Sequence, residues 1–246
     1  IKQPLAFIIL LIIALLYSAW LIKKPFWQEP ARRFRIWLNS HFAEFAMLLA
    51  IAIYWAVSLK SNLNIGVRHL LPVFPFTILL VSAVTIKWLN PPFKNIKRTL
   101  LAGLLIWQAV SVISIYPHFL AYFNELVGGP SQAYIYTVDS SLDWGQDLKR
   151  LNDWANKKGI KKIYVDYFGG GDTKYYLGDK FSSWWGTRNP KELPKGSYLA
   201  VSATFLQGGR GKPVPGFNQP YGYYRWLYQY EPVAKIGYSI FVYHIN

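Results

Sequence analysis

The stretch "NIGVRHLLPVFPF", residues 64–76, sets Arg68 beside His69 at the mouth of an apolar run that carries Pro72 and Pro75. An arginine in that place suits phosphate. Its planar fork donates two parallel charge-assisted hydrogen bonds, and it keeps its charge when partly desolvated. His69 would add a donor or orient one. Proline has no backbone N–H, so the first turns of the element should bend or loosen and widen the mouth around the cation. The plainer alternative is an arginine that snorkels to a membrane interface while the prolines cap a first turn. Lys60, just upstream of the same loop, is a secondary candidate.

Three further groups carry chemistry. His118 and Glu125, in "PHFLAYFNELVGGP" (117–130), are seven residues apart and would share a helix face, as a metal or acceptor contact or as a solvated polar face. Asp139, Asp143 and Asp147 are four apart and would align on a continuous helix, where such a row could hold a hard divalent cation. The competing reading makes Ser140, Ser141 or Asp143 a helix N-cap, with Lys149, Arg150, Lys157 and Lys158 toward the other end before Gly159. "FGGGD" (168–172) could cradle phosphate on successive amides, but it lacks the Lys-Ser/Thr of a P-loop and reads better as a turn. Trp184, Trp185 and Trp226 offer aromatic faces to a sugar ring or to a core. No cofactor is required by these groups, a divalent metal being the one candidate. Serine, cysteine and zinc-hydrolase motifs are not evident.

The elements that would position these residues divide the chain in two. Of 246 residues, 52% are hydrophobic and 18% aromatic, yet the formal net charge is +15. Four apolar segments, about residues 4–22, 42–59, 70–89 and 100–116, approach the roughly 17–25 residues a helix needs to cross a bilayer core. They predict an α-helical membrane region of four transmembrane helices over 1–116. Residues 117–130, with aromatics at helical spacing, predict an interfacial helix or linker. Residues 131–246 alternate apolar runs with helix-like stretches and predict a small soluble α/β domain with a mixed sheet. Strand-like runs are "AYIYTV" (133–138), "KKIYVDYF" (161–168) and "SYLAVSA" (197–203), and 232–245 reads as a hairpin about Gly237 and Tyr238. "LQGGRGKPVPG" (206–216) reads as a basic surface loop.

Lysine and arginine set an orientation. The connection after the first span carries Lys23, Lys24, Arg32, Arg33 and Arg35, and that after the third carries Lys87, Lys94, Lys97 and Arg98. The connection holding Arg68 is poor in cations, and none follows the fourth span until Lys149. Basic loops stay cytoplasmic, so an integral cytoplasmic-membrane protein is expected with the Arg68 loop and the C-terminal domain outside. The charge calls for no nucleic acid, since no basic groove with interleaved aromatics is concentrated anywhere. Cysteine is absent, which excludes disulfides and thiolate metal sites. Without an initiator Met or a signal peptide, the start reads as a C-terminal piece of a longer polytopic protein.

Residues 64–76, "YPHFLAYFNELVGGP" (116–130) and "VDSSLDWGQDLKRLNDW" (138–154) together resemble the C-terminal part of bacterial membrane glycosyltransferases related to the protein O-mannosyltransferases, glycosyltransferase family 39. The resemblance covers most of residues 40–160. It implies a polyprenyl-phosphate-linked sugar donor, a protein, lipid or glycan acceptor, and chemistry on the outer face among membrane lipids. It also implies a donor-phosphate role for Arg68 with His69 as helper. The family's catalytic carboxylate lies in a first outer loop outside these residues, so no general base is named here. Two other readings stand beside it: a non-catalytic envelope protein whose outer domain binds a partner or polysaccharide, and a transporter half. Few charges lie within the spans, Glu44 being the exception, which weighs against the transporter.

Overall fold

The computed structural model describes residues 1–22, 29–61, 66–211 and 221–246. Lys23 and Lys24, Asn64 and Ile65 of the opening stretch, and 212–216 of the Gly/Pro loop lie outside the described residues. The chain forms two compact units, Lys2–Ser114 and Ile115–Asn246, the latter joined by Ile1.

In the first unit, α1 (Leu5–Leu21), α2 (Pro30–Ser40) and α3 (Phe42–Lys60) precede a 3-10 segment, Gly66–Val73, which runs directly into α4 (Phe74–Trp88) and is followed by α5 (Lys94–Ile113). Among the described residues, three helices are long and apolar enough to cross a membrane: Phe42–Lys60, the combined Gly66–Trp88, and Lys94–Ile113. The apolar α1 is shorter, at 17 residues. Ala6, Leu10 and Ala14 of α1 meet Val81 of α4 and Leu104 of α5 in a small core. Alanines at that seam let the helix axes approach closely, the usual source of contact between helices that gain little from excluding water. No residue of α3 is buried within the chain. A largely apolar helix with no buried residue is compatible with a lipid surrounding and costly in water.

Two boundaries differ from the hydropathy reading. Helix α5 begins at Lys94 because Lys97 folds back, its Nζ donating to the carbonyls of Trp88 (2.8 Å) and Asn90 (3.0 Å) at the end of α4. That satisfies carbonyls the helix end leaves without partners, so Lys97 is a cap and not merely a loop cation. The first basic connection also contains a helix. In α2, Arg32, Arg33 and Arg35 alternate with Phe34, Ile36 and Trp37, an amphipathic pattern that a count of loop charges hides.

The second unit holds a five-stranded mixed sheet in the order β2-β1-β3-β5-β4. Its strands are β1 (Ile163–Asp166), β2 (Phe181–Ser183), β3 (Ser197–Ser202), β4 (Ala234–Ile236) and β5 (Ile240–Ile245). β1 runs parallel to β2 and β3, whereas β5 runs antiparallel to β3 and β4. The period-two rule assigns the two faces. Tyr164, Leu199, Val201, Phe241 and Tyr243 enter one core, and Ile163, Val165, Ala200, Ile240 and Val242 enter the other. Both faces are therefore covered, and helix α7 (Leu148–Lys157) closes the second with Leu151 and Ala155.

Three expectations are corrected here. "AYIYTV" is not a strand: Ala133–Tyr136 is the one-turn helix α6, with Ala133 buried and the Tyr134 ring 4.7 Å from Phe241. Tertiary contact overrides the β preference of its residues. Residues 117–130 form no continuous interfacial helix but two 3-10 turns, Phe119–Ala121 and Glu125–Val127. Phe123 is buried in the core of the second unit with Ala121 and Val127, while Phe119 and Leu126 are exposed. The start of "LQGGRGKPVPG" is helical as well, within α9 (Ala203–Arg210), following the short α8 (Thr173–Leu177) in the chain.

The β4–β5 hairpin turns through Gly237 (φ +57°) and Tyr238 (φ +69°), closed by the Ser239 N–H donating to the Ile236 carbonyl at 3.1 Å. Two positive φ values match the turn whose twist suits a hairpin. A Cβ on Gly237 would lie about 2 Å from the buried Asp147 carboxylate. Gly237→Ala is expected to destabilise the second unit by about 2–3 kcal/mol, strain at φ adding to displacement of that carboxylate. Chemical denaturation followed by near-UV circular dichroism checks this; an unchanged midpoint would show that the turn can shift without cost.

Candidate functional site

Arg68 and His69 sit in the 3-10 segment Gly66–Val73, with Pro72 inside it and Pro75 in the first turn of α4. The loosened start expected from the prolines is present: a proline cannot supply an N–H to the α ladder, and the chain adopts the tighter 3-10 winding until Phe74. Both side chains are half-buried, and the His69 Nε2 is buried with no hydrogen-bond partner among the described residues. Lys60 is the last residue of α3 and is exposed. There the negative helix end favours a cation, which accounts for Lys60 without a ligand.

The aspartates behave differently from either sequence reading. Helix α7 begins only at Leu148, so Asp139, Asp143 and Asp147 do not form one helical row. Nor does a serine or Asp143 cap it: Asp147 stands at the N-cap position and makes no side-chain cap bond. Its carboxylate instead accepts from the Ser239 hydroxyl (2.6 Å) and pairs with Arg150 (2.5 Å). Asp139 lies in a 3-10 turn at φ +54° and accepts from the Ser140 N–H, while its own N–H donates to the Thr204 hydroxyl at 2.9 Å.

Asp143 is fully buried, as is Asp147. One Asp143 oxygen accepts from the Gly145 N–H at 3.0 Å, and the other, Oδ2, has no well-aligned hydrogen-bond partner among the described residues. Burial pushes the Asp143 carboxyl up to about 7, opposed by the Gly145 amide and the nearby Ser202 hydroxyl and reinforced by the charges of Asp147 and Asp139. His118 is half-buried beside the same group, its ring edge-on to Tyr238 at 5.4 Å. Burial and the Arg150 charge lower its pKa, against the opposing pull of Asp147. Glu125 is exposed in a separate turn, and the helix face it was expected to share with His118 does not form.

This cluster can hold a proton near neutral pH, but it is closed. A carboxyl with no exposure cannot touch a substrate in this conformation; Asp147 holds the hairpin turn and the start of α7, and Asp143 the turn at Gly145. Among the described residues no group of three or more His, Cys, Asp or Glu could hold a metal ion.

The glycine motif also has a packing explanation. A Cβ on Gly169 would lie 2.6 Å from the Cα of Gly145, and one on Gly145 would strike the Tyr167 hydroxyl, which donates to the Gly145 carbonyl. "FGGGD" and "DWGQD" thus meet backbone to backbone, and Asp172 caps α8 by accepting from Lys174 and Tyr175. Trp184 is buried and Trp226 half-buried, while Trp185 is exposed with the Arg188 guanidinium 4.8 Å from its ring centre. One pair escaped the sequence reading: the buried Asp166 at the end of β1 accepts from the Tyr224 hydroxyl at 2.5 Å. Burial raises the pKa of both groups. The one sequence signal was a lone acid ending an apolar strand.

No protein-family model, no curated protein and no solved structure matches the chain.

The folded-state pKa of Asp143 lies above its ordinary 3.8, so between about pH 4 and 7 the folded chain binds a proton the unfolded chain has released. Stability is therefore lost as pH rises through that window and is level above it. Asp143→Asn, which keeps the acceptor for Gly145, is expected to raise unfolding free energy at pH 8 by about 2–3 kcal/mol and leave it nearly unchanged at pH 4. Urea unfolding at the two pH values checks this, an equal effect at both being the contrary result.

Proposed function

We propose that the chain is the C-terminal part of an integral-membrane glycosyltransferase that moves a sugar from a polyprenyl-phosphate donor to an acceptor hydroxyl on the outer face of the cytoplasmic membrane. The observation that carries this reading is the placement of Arg68 and His69 in a proline-loosened 3-10 segment continuous with a helix of spanning length, Gly66–Trp88. The family resemblance of residues 64–76, 116–130 and 138–154 supports it. In this reading α1 is the first of four spans, and the cation-poor Arg68 connection faces outward with the second unit.

The reaction follows from the donor's chemistry. A carboxylate outside these residues takes the acceptor proton, the acceptor oxygen bonds to the anomeric carbon, and the anomeric carbon–oxygen bond to phosphate breaks. The lipid phosphate leaves with the bonding electron pair. Arg68 receives that charge through its guanidinium fork, and His69 donates through the ring nitrogen left unmatched among the described residues. A divalent metal, where the enzyme uses one, would share that load.

In proteoliposomes with labelled polyprenyl-phosphate sugars, Arg68→Ala in the full-length protein is expected to weaken donor binding by about 30- to 100-fold, with Arg68→Lys intermediate. Unchanged binding and turnover would return Arg68 to an interfacial anchor. No turnover of any donor by the wild type would favour the non-catalytic envelope protein. Orientation has its own test, helped by the absence of cysteine from these 246 residues. A cysteine at Lys161 should react with an impermeant maleimide in intact cells, and one at Lys94 only after permeabilisation; the reverse pattern would invert the topology.

A further inference from the structure

The first unit contains a cleft of about 1270 Å³ that the sugar-transfer reading does not use. Its long walls are apolar: Leu11 and Leu15 from α1, Leu48 and Ile51 from α3, and Leu80 and Val84 from α4. One end is polar. The end of α1, the amphipathic α2, the start of α3 and the end of α4 converge there, contributing Arg32, Arg33, Glu44 and Lys87.

The charges are unevenly matched. Arg32 pairs with Glu29 at 3.0 Å, whereas Arg33 and Lys87 have no ion-pair partner among the described residues. Glu44 lies in the first turn of α3, where the positive helix end accommodates its charge. Two cations thus remain at the lip of an apolar slot. The length of the slot narrows the occupant further. Along α4 it extends from Lys87 to Thr77, ten residues, or about 15 Å at 1.5 Å per residue. That is half of a bilayer core of about 30 Å, the depth of a single leaflet.

We propose that this cleft is a binding site for one anionic phospholipid, its phosphate held by Arg33 and Lys87 and an acyl chain lying between α1, α3 and α4. The chemistry is that of a basic pocket between membrane helices capped by an interfacial amphipathic helix. Trp37, on α2 at the cleft wall and stacked on His41 at 5.7 Å, supplies the amphipathic ring that settles at headgroup level. The site requires a membrane setting but neither the sugar donor nor the outward placement of Arg68.

The test is native mass spectrometry of the full chain released from nanodiscs of equal phosphatidylglycerol and phosphatidylcholine. Wild type is expected to retain one phosphatidylglycerol with a preference of about tenfold over phosphatidylcholine, two cations near the surface each contributing to the selection. Arg33→Gln with Lys87→Gln should abolish the preference, and Leu80→Trp, which fills the slot and leaves the charges, should abolish retention. Helical circular dichroism of each variant, matched to wild type, separates loss of lipid from loss of fold. Equal retention of the two lipids, retention unchanged in either variant, or no retained lipid in folded wild type would overturn the proposal. The last result would point to another polypeptide segment as the occupant. Failure of the chain to enter nanodiscs at all would overturn the membrane reading with it, while donor turnover alongside lipid indifference would sink this proposal alone.

Discussion

The second unit depends on one buried carboxylate. Asp147 has no solvent exposure, so its charge must be met by protein groups, and Ser239 and Arg150 meet it. Removing either partner strands charge in a poorly polarisable interior, which costs more than the lost bond itself. The contact has structural reach because its partners lie 92 and three residues away. Ser239 is the residue that closes the hairpin turn, and its carbonyl accepts from the Ala203 N–H where β3 ends. One side chain therefore fixes the start of α7, the β4–β5 turn and the exit of the central strand. The glycine at 237 is explained by that carboxylate beneath it, and the strained Tyr238 beside it is held by the same turn.

The sequence made the division of the chain legible because hydropathy and strand periodicity report burial directly. Strands β1, β3 and β5 alternate cleanly between two cores, and Gly159 stops α7 close to where a helix-breaking signal places it. Aromatic spacing was a poorer guide. Phe119, Tyr122, Phe123 and Leu126 suggested one continuous helix, yet the segment winds through two 3-10 turns that bury Phe123 and leave Phe119 and Leu126 exposed. Periodicity identifies what a segment buries only when its winding is known. The short strand β2, Phe181–Ser183, carries too few residues for any pattern to emerge.

The candidate site divides along the same line. Arg68, His69 and the two prolines are neighbours in sequence, so their local geometry follows from adjacent residue types, and the 3-10 winding is what proline chemistry predicts. The aspartate cluster is different. Its spacing of four invited a helix, while the actual partners, His118, Ser202, Tyr238 and Ser239, come from distant parts of the chain. No local rule links residue 147 to residue 239. The buried Asp166–Tyr224 pair belongs to this class too, joined across 58 residues by a single short hydrogen bond.

The strand order carries a consequence for biosynthesis. β5 lies between β3 and β4 in the sheet and follows both in the chain. Until residues 240–245 have left the ribosome, β3 has an unpaired edge and β4 has no neighbour at all. A nascent second unit therefore carries Leu199, Val201 and Leu206 without the strand that covers them, and its final collapse waits on β5. The second unit is open to chaperones or proteases during that interval.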